Sequence, residues 1–210
     1  LQEEGRGPII ERGMRHAALF LAIALTGAAL DLLTKHLAFQ HVPRGGEIVV
    51  IDGFFSLGHT TNPGIIFGKF PAGRTLWLIV SIAAIPAILA IFFSVRNPRW
   101  ILTVTLGMIL AGTLGNMYDR VFTAEHAVRD FIKFYYRTSS GEERVWPLFN
   151  LADSYICVGV FLLSIEMLFF DEKKKKKARR AIPRPKVTRS QGNTARVRRR
   201  LKKLAGLSRA

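Results

Sequence analysis

Four aspartates carry the chemistry this chain could do: Asp31, Asp119, Asp130 and Asp153, accompanied by Lys35, Arg120 and the amides Asn62, Asn116 and Asn150. Two carboxylates held a few ångströms apart cannot both ionise, so one keeps a proton. The ionised partner can then take a proton from water while the acid protonates or hydrogen-bonds a scissile carbonyl, and such a pair hydrolyses a peptide bond without metal or covalent intermediate. No other reactive pattern competes. HExxH, GxSxG and Walker sequences are missing, and the five histidines, at 16, 36, 41, 59 and 126, are scattered. The one cysteine, Cys157, lies among apolar residues and reads as a small core side chain. A single Cys leaves neither an internal disulfide nor a Cys-based zinc site, and no cofactor or metal is expected.

Each acid also has a plainer reading. Asp31 and Lys35 are four residues apart on one helix face, an ion pair that neutralises itself. Asp119 adjoins Arg120, a salt bridge that fixes a helix exit. Asn150 and Asp153, three apart, resemble a capping arrangement at a helix start, although Pro147 could open that helix earlier. Asp130, in "VRDFIKF", is a loop acid. Spacing does not choose a pair among the four.

The elements that must position these groups are membrane spans. A hydrocarbon core about 30 Å thick needs roughly 20 apolar residues in a helix, and four stretches qualify. The first surrounds Ala17–Leu30, whose 14 residues free of charge are too few, so it must draw Asp31 into the membrane margin. The second covers 75–95 with Pro86 inside it, the third 100–118, rich in Gly107, Ala111, Gly112 and Gly115, and the fourth 148–170. Soluble bundle helices would show a polar face of 3.6-residue period, and the second span shows none. Basic residues fix the orientation. Arg6, Arg12 and Arg15, then Arg96 and Arg99, then the C-terminal run all fall on one side, which should be cytoplasmic. The segments 38–74 and 119–147 then face outward. Asp31, Lys35, Asn116, Asp119, Arg120, Asn150 and Asp153 all map to the outward margin, and Asn62 and Asp130 lie in the outward segments. Ionisable groups beside lipid ordinarily face a protein interior or wet cavity, so a shared site is expected there. Glu166, at the opposite end, should meet water or a basic neighbour.

Charge is concentrated at the C-terminus. Residues 171–210 hold 17 of the 31 Lys and Arg against two acids, whereas 1–170 are nearly neutral. This tail should be mostly disordered and bind anionic headgroups, with "ARVRRRLKKLAGL" able to form a short basic helix at the membrane surface. Nucleic acid is the less favoured partner, since charge alone does not separate lipid from RNA phosphates. Leu1 is not an initiator Met, and 1–14 are set aside as a cytoplasmic N-terminal segment. The stretch 47–62 alternates and is β-branched, which predicts strands.

In order, "DLLTK" (31–35), "NPGIIFG" (62–68), "GTLGNMYDR" (112–120), "VRDF" (128–131) and "FNLAD" (149–153) resemble the blocks of bacterial lipoprotein signal peptidase, also called signal peptidase II. The match covers roughly residues 15–170. The resemblance implies an inner-membrane aspartic peptidase, both termini cytoplasmic, that removes signal peptides from prolipoproteins just before a diacylglyceryl-modified cysteine. It implies Asp130 and Asp153 as the catalytic pair, and Asp31, Lys35, Asn62, Gly64, Gly112, Asn116, Asp119, Arg120 and Asn150 as residues that shape the site or contact substrate. The expected fold is an all-α membrane protein of four transmembrane helices with a small outward β-rich cradle, acting as a monomer on a lipidated prolipoprotein. The competing reading is a small transporter using the same acids, which would place relay acids at several depths.

Overall fold

The computed structural model describes residues 7–66, 70–71, 74–95, 98–181 and 196–201. Its order is α1 (Gly7–His41), β1 (Glu47–Ile51), β2 (Phe55–Asn62), β3 (Ile65–Ile66), β4 (Phe70–Pro71), α2 (Arg74–Ser94), α3 (Trp100–Phe122), β5 (Val128–Arg137), β6 (Glu143–Val145) and α4 (Leu151–Ala181). Four of its helical segments are long and apolar enough to cross a membrane: Glu11–His41, Thr75–Ser94, Trp100–Phe122 and Leu151–Leu168. At 1.5 Å per residue, α2 with its 21 residues is about 31 Å long, one hydrocarbon thickness. Pro86 sits inside it, as a lipid-flanked helix tolerates.

The chain divides into two compact units, Leu1–Met167 and Leu168–Ala210. In the first, α3 is central. A buried cluster joins Phe20 and Ala24 of α1, Ile88 and Phe92 of α2, and Leu106 and Leu110 of α3, with the Phe20 and Phe92 rings stacked at 4.2 Å. Toward the other end of α3, Gly112 and Gly115 let α4 approach. A Cβ on Gly112 would overlap the Ala152 carbonyl oxygen, and one on Gly115 would overlap the Asp31 carboxylate. Small residues at such a contact exchange side-chain bulk for backbone proximity, the ordinary device of helices packed in lipid.

The strands form an antiparallel sheet of order β1-β2-β5-β6 and a separate β3-β4 pair. Phe55 stands opposite Phe134 and Thr60 opposite Asp130, with a bulge in β2 between Leu57 and Thr60. Strands over 47–62 agree with the alternation of that stretch. The segment 128–145 differs from expectation: Asp130 lies on a ten-residue strand, not in a loop. Its sequence, β-branched and aromatic up to Tyr136 and followed by a Gly-containing turn, is a hairpin signal.

Two helix boundaries also shift. The fourth helix begins at Leu151, so Pro147 precedes it. It then runs to Ala181, through the lysines at 173–177, where disorder was expected. A helix already nucleated in the span adds residues cheaply, and Lys, Arg, Glu and Ala are good helix formers. Residues 196–201 are helical too. The rest of the tail, like the tips of the motif at 67–68, lies outside the described residues.

Candidate active site

Asn150 caps α4 and organises what surrounds it. Its Oδ1 accepts from the Asp153 backbone N–H at 2.9 Å, and the Asp153 carboxylate accepts from the Asn150 backbone N–H at 3.2 Å. This reciprocal pair is a capping box. The Asn150 amide is left to reach outward: Nδ2 donates to Asp130 Oδ1 at 2.7 Å, to the Arg129 carbonyl at 3.3 Å and to Asn116 Oδ1 at 3.2 Å. One residue therefore holds both Asp130, arriving on β5, and Asp153, in the first turn of α4. The backbone supports that meeting, since Phe131 N and Ile132 N both donate to the Phe149 carbonyl.

A chain of buried groups sets the amides. Lys35 is fully buried, and its ammonium reaches three acceptors: Asp31 at 2.7 Å, Asp119 at 3.1 Å and Asn116 Oδ1 at 2.9 Å. Because Asn116 Oδ1 is occupied by Lys35 and Asn150, its Nδ2 must point the other way, and it donates to Asp153 Oδ1 at 2.7 Å. Asp31 also accepts from the Ala152 N–H at 2.8 Å, which docks α1 on the start of α4. Asp119 takes Arg129 in a fork, from Nε at 3.0 Å and from the terminal nitrogen at 2.6 Å, and accepts the Arg129 backbone N–H at 3.0 Å. The two guanidinium bonds converge on Oδ1 and the backbone N–H takes Oδ2, and such charge-assisted bonds fix direction as well as proximity.

The expected Asp119–Arg120 salt bridge is not what holds the loop. Asp119 binds Lys35 and Arg129, while Arg120 donates to the Asn116 carbonyl at 3.2 Å and to Ser81 on α2 at 3.4 Å. Neighbours on a helix point about 100° apart, so adjacency in sequence does not bring two side chains together. Arg129, which orients Asp119 and precedes Asp130, was missed by sequence reasoning. Its only signal was its place inside the "VRDF" block.

The cluster Lys35, Arg129, Asp31 and Asp119 balances two cations with two carboxylates. Both oxygens of Asp153 serve as acceptors, from Asn116 and from the Asn150 N–H. Asp130 is almost completely buried. Burial first, and then the charge of Asp153, push its carboxyl up to about 7, against the opposing pull of Asn150, Lys35 and Asn62. Asn62, at the end of β2, bonds the Asp130 carboxyl and accepts the Gly64 N–H at 2.9 Å. The Gly64 carbonyl in turn accepts the Trp77 indole at 2.9 Å, which ties this turn to α2.

Asp31, Lys35, Asn62, Asn116, Asp119, Asp130, Asn150 and Asp153 thus form one connected network at the sheet end of the helices. Gly112 and Gly115 let α3 and α4 close on it, Gly64 buttresses Asn62, and Arg120 borders it through the Asn116 carbonyl. Glu166 lies near the other end of the Leu151–Leu168 span, 3.6 Å from Arg99, the basic neighbour expected for it. Among the described residues no group of three or more His, Cys, Asp or Glu is arranged to hold a metal ion.

Comparison with known proteins places this network in context. A family model described as signal peptidase (SPase) II matches residues 23–169. The lipoprotein signal peptidase of Symbiobacterium thermophilum is 35% identical over 158 residues, which are 74% of this chain and 97% of that protein. The lipoprotein signal peptidase of Desulfitobacterium hafniense is 40% identical over 151 residues, 70% of this chain and 91% of that one. Among solved structures, a bacterial membrane enzyme determined by the in meso method superposes with a TM-score of 0.64 at 28% identity, covering 74% of this chain and 90% of its own.

Proposed function

This chain belongs to the signal peptidase II family, a multi-pass bacterial membrane protein by its four apolar helices, and on that premise we propose that it is an aspartic endopeptidase with Asp130 and Asp153 as its dyad. Its substrates are prolipoproteins carrying a diacylglyceryl-modified cysteine, and it cuts before that cysteine. The observation that carries the reading is the grip of Asn150 on both carboxylates.

The two aspartates differ in a way that assigns their roles. Asp153 accepts hydrogen bonds at both oxygens, from the Asn116 amide and the Asn150 N–H. Asp130, buried and beside that charge, holds the proton. Asp153 then takes a proton from water as the oxygen attacks the scissile carbonyl carbon, and Asp130 gives its proton to the carbonyl oxygen. The tetrahedral diol collapses when Asp153 passes its proton to the leaving nitrogen, the C–N bond breaks, and one diol hydroxyl returns its proton to Asp130, leaving the new carboxylic acid. Lys35 acts through Asn116: it fixes the amide so that Nδ2 faces Asp153. Asn62, Asp31, Asp119, Arg129 and Arg120 hold the dyad's frame, and Gly64 and Gly112 give it room.

A lipid-anchored substrate does not leave the bilayer, so its cleavage site must be met at the membrane margin. We place the site at the outward face of the inner membrane, with both termini cytoplasmic, the peptidase body at 15–170 and the basic tail, 171–210, against anionic headgroups. A single chain supplies every group named, which suits a monomer. The test is a gel-shift assay with a diacylglyceryl-modified precursor and its unlipidated control. Turnover of only the lipidated form is expected, and lost in Asp130→Asn and Asp153→Asn. Near-normal processing by either variant overturns the dyad.

A further inference from the structure

Strand β5 continues well past Asp130. Side chains alternate along a strand, so Ile132, Phe134 and Tyr136 share the face that carries Asp130. Phe55 and Leu57 of β2 stand opposite Phe134 and Ile132, and Arg144 of β6 stands opposite Tyr136, with Trp146 two residues further on. The reverse face carries Phe131 and Tyr135, both buried, beside the ion pairs of Lys133 with Glu47 and Glu143 and of Arg137 with Asp52 and Glu143.

An antiparallel sheet usually packs one face on a core. The face that carries Asp130 is left open toward the β6 edge. Phe54, Tyr136 and Trp146 are 55%, 61% and 64% exposed, and together with Phe134, Arg144 and Phe149 they line a groove of about 640 Å³. The Phe134 ring lies 5.9 Å from that of Phe149. Phe149 precedes Asn150, so the groove opens beside the residue that holds both aspartates.

We propose that this aromatic groove is a subsite for the extended polypeptide on the carboxyl side of the scissile bond. The inference rests on the peptidase reading above and adds a specificity element to it. In that reading the signal segment stays within lipid, so the chain beyond the cleavage point must leave along the sheet. The groove offers continuity with Asp130 on one strand face. It also offers the free backbone edge of β6, the last strand of the sheet, where an extended segment can add main-chain hydrogen bonds while its side chains meet aromatic rings. From Asp130 to Tyr136 is six residues, about 20 Å of strand, so an extended substrate running from Asp130 to the far end of the groove spans about six residues. Aromatic residues also favour the lipid–water interface. Alignment of the stripe with Asp130 favours the peptide over lipid.

The test uses the full chain and lipidated precursors ending about two, six and ten residues after the modified cysteine. We expect kcat/KM to rise about tenfold from the shortest to the middle precursor, mainly through KM, with no further gain at the longest. In Tyr136→Ser/Trp146→Ser the gain should shrink below about twofold, and Tyr136→Phe/Trp146→Phe should keep it. Cleavage without length dependence, or an undiminished gain in the serine variant, overturns the groove and leaves the peptidase reading standing. So does quenching of Trp146 by brominated acyl chains in a Trp77→Phe/Trp100→Phe background when length dependence is unchanged, which would assign the groove to lipid. Failure of the parent to cut any lipidated precursor removes both readings.

Discussion

If the proposed dyad works with one proton held by Asp130, raising the pH through neutrality should switch this protein off. The carboxyl is pushed from its ordinary value near 3.8 to about 7, first by burial and then by the charge of Asp153. The groups facing it are Asp153 and Asn150 at the start of α4, Lys35 on α1, Asn62 on β2 and Arg120 on α3. The dyad should therefore lose its last proton with an apparent pKa of about 7. Above that, kcat/KM should fall about tenfold per pH unit. The same shift acts on stability with a defined sign. The unfolded chain releases this proton near pH 3.8 and the folded chain near 7, so the folded state binds more protons in between. The contribution of this group to stability is greatest below about pH 4, declines by about 1.4 kcal/mol per pH unit across the window, and levels off above about 7, a total of about 4 kcal/mol. Asp130→Asn removes that decline. The assay is kcat/KM for a lipidated precursor in detergent between about pH 5 and 9, with parallel thermal unfolding of the parent and Asp130→Asn. A profile flat to about pH 9, or a parent whose stability tracks the variant across the window, would refute the assignment of the proton to Asp130.

Asp153→Asn should lower single-turnover cleavage by roughly a hundred- to ten-thousand-fold without changing membrane insertion, scored by fractionation. Gly112→Ala should cost about 1–3 kcal/mol, read as a lower Tm, because the added methyl meets the Ala152 carbonyl. Gly13→Ala, whose Cβ meets nothing within 4 Å, should be neutral or stabilise by about 0.5–1 kcal/mol. Lys35→Met leaves Asp31 without a cation and Asp119 with Arg129 alone, and should cost about 3–5 kcal/mol. Asp31→Asn/Lys35→Met should recover part of that in the same melting assay, and no recovery would argue against charge pairing as the cause.

Sequence and structure divide this molecule along physical lines. Four spans were legible because twenty apolar residues in lipid leave the backbone little choice but a helix. The strands at 47–62 were legible from a local period of two. The candidate residues from Asp31 to Asp153 were recognisable as five ordered blocks, which together resemble one family. Partnership was not legible. Nothing in the run "MYDRV" says that Asp119 turns to Lys35 and Arg129 and away from the adjacent Arg120. That choice depends on which helix face meets α1 and β5. Likewise Asn150 and Asp153 could be read as a cap or as a site, and the fold makes them both, since the cap leaves the amide free to reach Asp130. Residue type and periodicity act within a few neighbours along the chain and so can be read there. The Asp130–Asn150–Asp153 constellation joins residues 20 and 3 positions apart from different elements, and only packing decides which side chains share a buried space.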